Sequence, residues 1–259
     1  MLRLRSGIAV LFAVLVLIGT AAQAETVQDT IEKTLPFAAG SRLEVSNTNG
    51  DIEVTTWDRD EIGIEARKKV KARDDDRARE AFENLKVVIN DTAGGVTIQT
   101  EYPKGKGSWW GGTSSSVSYS IQVPERADLL LDTVNGKIVV ERVHGEIELE
   151  TTNGGITAKD AGGSVSARTT NGSINVDLKE VTADEDMSFR TTNGSITLSM
   201  PGDMKANLSA RTTNGSVQTD FPITIQGTFR KNRLDGEING GGADIELKTT
   251  NGSIRIREN

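Results

Sequence analysis

Cysteine is absent from this chain and histidine occurs once, at His144. Those two shortages remove disulfide stapling, a lipid-attachment thiol, cysteine nucleophiles and soft-ligand zinc sites. A Ser-His-Asp relay would have to be built on His144, which falls in a corner between two strand-like runs. Aromatics make up 4% of the residues and proline is scarce at 5, so no proline-rich linker divides the chain. Long apolar runs are also missing, with one exception at the N-terminus. Basic charge is in deficit: 30 Lys and Arg stand against 37 Asp and Glu, a net charge of −7. Such a balance speaks against general affinity for nucleic acid or an anionic membrane.

The exception reads as a secretory signal over residues 1–24. Arg3 and Arg5 give a positive start, Ile8 to Ile18 an apolar run, and Ala22-Gln23-Ala24 a small-residue cleavage site after Ala24. The run is short of the roughly 20 residues that a spanning helix needs. No other segment reads as a transmembrane span. Cleavage removes two arginines and no acid, leaving an exported, periplasmic or secreted chain more acidic than the precursor. Residues 25–259 read as a single domain, with an irregular part at 25–132 and regular repeats at 133–259.

What is present in excess is a motif. Thr-Thr-Asn-Gly-Ser recurs with its asparagines at Asn171, Asn193, Asn214 and Asn251, and looser copies sit at Asn49, Asn135 and Asn153. Gly136, Gly145, Gly154, Gly163 and Gly172 each follow the last by nine residues, and Ile138, Ile147, Ile156, Val165 and Ile174 follow them in turn. Between glycines, apolar and polar residues alternate, as in Ile174, Val176 and Leu178 against Ser173, Asn175 and Asp177. Period two means strand with one buried face. Two nine-residue halves give a coil of 18 residues, stretched to 22 between Asn171 and Asn193 and to 21 before Asn214. The gap of 37 to Asn251 contains Gly236 and fits two coils.

These features predict an all-β fold, a β-helix-like solenoid of roughly 18–22-residue coils stacked about 4.8 Å apart. Asn-Gly forms the corners, the residues having a tolerance for positive φ. Aligned asparagines at Asn49, Asn135, Asn153, Asn171, Asn193, Asn214 and Asn251 would bond up the stack as a ladder. A β-hairpin is the rival reading of Asn-Gly, but a meander gives no reason for Glu150, Arg168, Arg190, Arg211 and Lys248 to recur before every Thr-Thr. Small inward residues such as Ala158, Ala161 and Ala167 predict a narrow core with no single large hydrophobic cluster. In the N-terminal half, the strand-corner-strand grammar returns at Leu43–Val54. One short helix follows Asp74, Asp75 and Asp76, with Ala78, Ala81, Phe82 and Leu85 on one face, and covers an open end or side of the stack.

Two features stand out as ligand-binding candidates. Trp109 and Trp110 sit among glycines, serines, Lys104 and Lys106; they stack on a sugar or anchor a partner, or they fold back over an edge. Arg168, Arg190, Arg211 and Lys248 would align as a cationic stripe facing an anionic polymer, or serve as a solvated outer face. Asp184, Glu185 and Asp186 lack regular ligand spacing for calcium. The Gly105, Gly107, Gly111 and Gly112 cluster lacks the lysine and helix of a phosphate loop. No metal, cofactor or catalytic residue is expected.

Asn47-Thr48-Asn49-Gly50-Asp51-Ile52-Glu53-Val54 followed by Trp57-Asp58, the repeated Thr-Thr-Asn-Gly-Ser-Ile, and Leu234-Asp235-Gly236-Glu237-Ile238 with Gly240-Gly241-Gly242 together resemble the bacterial putative-adhesin family of domains of unknown function. The resemblance covers nearly all the mature chain. It implies an exported, β-solenoid-like protein and brings no catalytic residues; adhesin is a family label and not an assigned activity. Nothing after Ile254 reads as a surface anchor. The expectation is therefore a non-enzymatic protein binding an envelope glycan or protein partner. Its alternatives are a structural, self-associating protein pairing through an end strand at Ile254 to Arg257, and a polysaccharide lyase or hydrolase. Oligomeric state is left open by the sequence.

Overall fold

The computed structural model describes residues 25–92, 94–102, 113–180, 185–224 and 230–259. The signal-like segment, the Trp109-Trp110 loop with its glycines and lysines, and Asp184 lie outside the described residues. The chain is all-β with one helix among the described residues, and its strands form one continuous sheet.

Most of that sheet is built from rungs, each a pair of strands meeting at a corner asparagine. The Asn135 rung is Asp128–Asn135 and Ile138–Glu141. The strand Ile156–Asn171 completes the Asn153 rung opened by His144–Asn153 and begins the Asn171 rung, which Ile174–Glu180 closes. Neighbouring rungs pair in parallel and in register, so Leu129, Ile147 and Val165 lie over one another on one face, and Ile138, Ile156 and Ile174 on the other. The alternation of side chains then forces every apolar position inward together.

The order of rungs in space departs from the order in sequence. The Asn49 rung, Arg42–Ser46 and Ile52–Trp57, lies beside the Asn135 rung, yet on its other flank it pairs with the later strands Gly95–Glu101 and Ser114–Pro124. At the other end, Ala243–Asn251 and Ile254–Glu258 enter between the Asn193 rung (Met187–Arg190, Ile196–Met200) and the Asn214 rung (Ala206–Asn214, Val217–Thr219). Two expectations are thereby corrected. The gap before Asn251 does not hold two stacked coils: Gly236 lies in Arg233–Ile238, which runs antiparallel against Ala206–Asn214 and pairs with Ile223–Thr224. Nor is Ile254 to Arg257 an end strand, because partners occupy both of its edges.

The core is also larger than expected. Small alanines narrow individual rungs, but stacking joins their neighbours into one buried cluster running from Phe37 to Ile256, with Phe189, Leu131 and Ile147 wholly inside. Rungs that are thin singly become continuous because each covers the next.

The first-rung end is closed by antiparallel strands. Lys86–Thr92 pairs with Gly95–Glu101, while Glu61–Ala72 bridges Ser114–Pro124 and the outermost strand Glu25–Pro36. The helix, Asp75–Asn84, is capped by Asp74, whose carboxylate accepts from the Arg77 backbone N–H at 2.9 Å. It packs on Glu61–Ala72 and Glu25–Pro36, the strands at this end, with Ala78 buried and Lys68 over the Phe82 ring. Tyr102 and Tyr119 seal this end. The Tyr119 hydroxyl shares a hydrogen bond with Thr100 at 2.6 Å, and burial pushes its pKa up to about 12. The Tyr102 hydroxyl donates to Asn47 Oδ1 at 2.8 Å.

Candidate functional site: the outer face beside the asparagine column

Each residue of the repeated pentad has a separate task. The first threonine points inward: Thr133, Thr151, Thr169, Thr191, Thr212 and Thr249 are only 1–6% exposed. Their hydroxyls donate to the corner-glycine carbonyl of the adjoining rung, as from Thr151 to Gly136, Thr191 to Gly172 and Thr249 to Gly194, all at 2.9 Å. In the first rung Asn47 takes this place, its amide donating to the Val117 carbonyl at 2.8 Å. The asparagine points outward. Nδ2 of Asn135, Asn153, Asn171 and Asn193 donates to Oδ1 of Asn49, Asn135, Asn153 and Asn171 respectively, each at 2.8 Å. The ladder continues from Asn251 to Asn193 at 2.7 Å and from Asn214 to Asn251 at 2.8 Å. The corner residues thus form the expected column, with Asn251 inserted before Asn214.

The reason for glycine differs from the one expected. Gly136, Gly154, Gly172, Gly194 and Gly215 are not at positive φ, although Gly50 and Gly252 are, at 126° and 158°. Instead, a Cβ on Gly154, Gly172 or Gly194 would stand 1.9 Å from the carbonyl oxygen of the glycine below. The corner needs a residue without a side chain because the adjoining backbone occupies that space.

Stacking carries the charged residues into register. Arg168 pairs with Arg190, Arg190 with Lys248, and Lys248 with Arg211 along the outer face, and Arg233 continues the row across the antiparallel strand. In the other direction the same row becomes acidic, through Glu150 and Asp132. Burial, reinforced by Glu150, raises the Asp132 pKa above the ordinary carboxylate value. The cations have acidic neighbours: Arg168 lies 3.9 Å from Glu150, Arg211 lies 3.3 Å from Asp235, and Arg190 bonds Glu246. Such exposed pairs contribute about 0–1 kcal/mol each, so their effect is to orient side chains more than to hold the fold.

Beside the row lies an open groove of about 960 Å³. Ser166, Ser188, Glu246 and Ser209 line it, each two residues before its cation, and Asn207, Asp244 and Glu237 form the next row outward. Asp235 is its most heavily donated carboxylate. Burial pushes its pKa up, but bonds from Arg233, Ser209 and Arg211 outweigh this and hold it below the ordinary value. Ser209 Oγ donates to Asp235 at 2.8 Å, and Asn207 Nδ2 to Asp244 at 3.0 Å. The serines were legible in the sequence once the cation register was known. Asp235 was not, because its strand runs against the others.

Asp186 also lines the groove, whereas His144 and Trp57 are not among its lining residues. His144 opens a strand, with Nδ1 3.9 Å from Glu125. Asp186 accepts from the Asp244 backbone N–H at 3.0 Å, and among the described residues no cluster of His, Cys, Asp and Glu forms a metal site. The third tryptophan, Trp57, is engaged in a turn, its Nε1 donating to the Glu61 carbonyl at 2.8 Å beneath Arg59. Among the described residues no helix is long and apolar enough to cross a membrane.

The family model described as Toastrack DUF4097 matches residues 111–257. No curated protein matches the chain. Among solved structures, a putative cell adhesion protein from Clostridium sporogenes is 12% identical, with 89% of this chain and 100% of that one covered and a TM-score of 0.43. A putative adhesin from Bacteroides fragilis is 8% identical, covering 89% and 97%, with a TM-score of 0.36. A putative lipid binding protein from Parabacteroides distasonis is 12% identical, covering 89% and 96%, with a TM-score of 0.29.

Proposed function

This chain belongs to the Toastrack DUF4097 family, and from that premise we propose that it is an exported, non-enzymatic β-solenoid that binds a hydroxyl-rich envelope glycan along its outer face. The observation that carries the reading is the register of Ser166, Ser188, Glu246 and Ser209 beside Arg168, Arg190, Lys248 and Arg211. A repeating polymer meets a repeating row of donors and acceptors at rung spacing. The carboxylates lining the groove are offset by the cations of the row beside it, which favours directional hydrogen bonding over bulk attraction of a polyanion. Asp235, held below the ordinary carboxylate value by Arg233, Ser209 and Arg211 despite burial, suits an acceptor of sugar hydroxyls better than a general acid. Export rests on the N-terminal signal pattern, and residues 25–259 act as one domain. Trp109 and Trp110 are proposed as a further sugar contact.

Purified envelope polysaccharides, neutral and acidic, provide the test by isothermal titration. A Ser188→Tyr variant, which fills the groove, is expected to weaken binding of a neutral polysaccharide by at least about tenfold, a loss of about 1.4 kcal/mol. Simultaneous neutralisation of Arg168, Arg190, Arg211 and Lys248 to Gln is expected to weaken it as well. Equal binding by wild type and the Ser188→Tyr variant would reject the groove; loss only in a Trp109→Ala, Trp110→Ala variant would move the site to the loop.

A further inference from the structure

We propose that Asn214 is a site of spontaneous deamidation, singled out among the corner asparagines by its position in the terminal rung. The reaction requires the backbone nitrogen of the following glycine. After giving up its proton to solvent base, the Gly215 nitrogen attacks Cγ of Asn214; a C–N bond forms and the side-chain nitrogen leaves as ammonia, taking a proton from water. Water then adds to either carbonyl of the resulting succinimide and opens it to aspartate or isoaspartate. The net change is amide plus water to carboxylate plus ammonium.

The fold withholds that nitrogen at six of the seven corners. Gly50, Gly136, Gly154, Gly172, Gly194 and Gly252 donate their N–H groups to the carbonyls of Asn135, Asn153, Asn171, Asn193, Asn251 and Asn214 at 2.9–3.1 Å. Each of these asparagine-glycine pairs is thus covered by the next rung. Beyond Asn214 no further asparagine rung follows, and among the described residues the Gly215 N–H has no backbone acceptor. Gly215 is also exposed, whereas the other six corner glycines are half-buried. Asn171, Asn193, Asn214 and Asn251 share the same Thr-Thr-Asn-Gly-Ser context, so their intrinsic reactivities match and any difference in rate comes from the fold. Asn239-Gly240 is not a corner, and its side-chain amide is held by the Gly202 and Met204 carbonyls at 3.0 and 2.8 Å.

The product would not fit the ladder. A carboxylate at position 214 loses the Nδ2 donor and sets oxygen against Asn251 Oδ1, while isoaspartate also lengthens the backbone at the corner. Deamidation therefore loosens the terminal rung and leaves the interior ones intact.

The experiment incubates the full chain at mildly alkaline pH and follows each asparagine by peptide mass spectrometry, natively and in concentrated urea. In the native protein Asn214 is expected to convert at least about tenfold faster than Asn171, Asn193 or Asn251, which must first open a rung. In urea the four rates should agree within about a factor of two, since local opening no longer separates them. Equal native rates would overturn the proposal, and so would a preference for Asn214 that persists in urea, which would assign the effect to sequence. An Asn214→Asp variant gives an independent readout: hydrogen exchange at the Gly252 amide should accelerate while that at Gly154 is unchanged, and unchanged exchange at Gly252 would also count against it.

Discussion

The Thr169 hydroxyl donates to the carbonyl of Gly154 in the adjoining rung at 2.9 Å, joining a buried side chain to the corner its neighbour must pack against. The bond ties strand and corner across two rungs. It explains why threonine, and not valine of nearly the same shape, stands two residues before the corner asparagine at Asn135, Asn153, Asn171, Asn193, Asn214 and Asn251.

Thr169→Val therefore keeps the volume and β preference but strips the Gly154 carbonyl of its hydroxyl donor. The expected cost is about 0.5–1.5 kcal/mol, the net contribution of a hydrogen bond whose acceptor is half-buried. Thr169→Ser, which keeps the hydroxyl, should lose less. Urea denaturation of the variants measures this, and a valine variant as stable as wild type would show the bond to be incidental.

Gly172 and Gly155 make a second comparison. A Cβ on Gly172 would stand 1.9 Å from the Gly154 oxygen, whereas one on Gly155 meets nothing closer than the Ser173 oxygen at 3.4 Å. Gly172→Ala is expected to cost at least the roughly 1–3 kcal/mol of ordinary overpacking, since the obstacle is backbone. Gly155→Ala should be neutral or stabilise by up to about 1 kcal/mol through the unfolded chain. Thermal unfolding of the pair decides it, and equal melting temperatures would remove the stacking explanation for glycine.

Alkaline pH tests the sealed end. Burial raises the Tyr119 pKa from 10.0 to about 12, partly opposed by the Thr100 bond. A phenol whose folded pKa exceeds its unfolded one contributes stability that is complete below the unfolded value and is lost as pH rises through the folded value. Stability should consequently fall between about pH 10 and 12, with phenolate absorbance appearing late. Tyr119→Phe should be less sensitive across that window. A phenolate signal complete by the ordinary tyrosine pKa, in a folded protein, would contradict the burial of this group.

Much of the local structure was legible. Alternation at Ile174, Val176 and Leu178 marked a strand with one buried face, the recurrence before Thr-Thr placed Arg168, Arg190, Arg211 and Lys248 in one row, and Asp74 marked the helix start. The groove was only partly legible. Its serines follow from the same period, but Asp235 arrives on an antiparallel strand to which no repeat points.

Sequence by itself determined what a rung is: period two turns the apolar set inward, and Thr-Thr-Asn-Gly supplies a hydroxyl, an amide and a gap at fixed places. Only the tertiary structure decided which rung lies beside which, so that Asn251 sits between Asn193 and Asn214 and Asn49 beside Asn135. The physical reason is degeneracy. Identical pentads bond one another equally well in any order, so the pairing energy of the motif cannot specify the sequence of the stack, and that choice falls to the connections between rungs and to the antiparallel strands that close its ends.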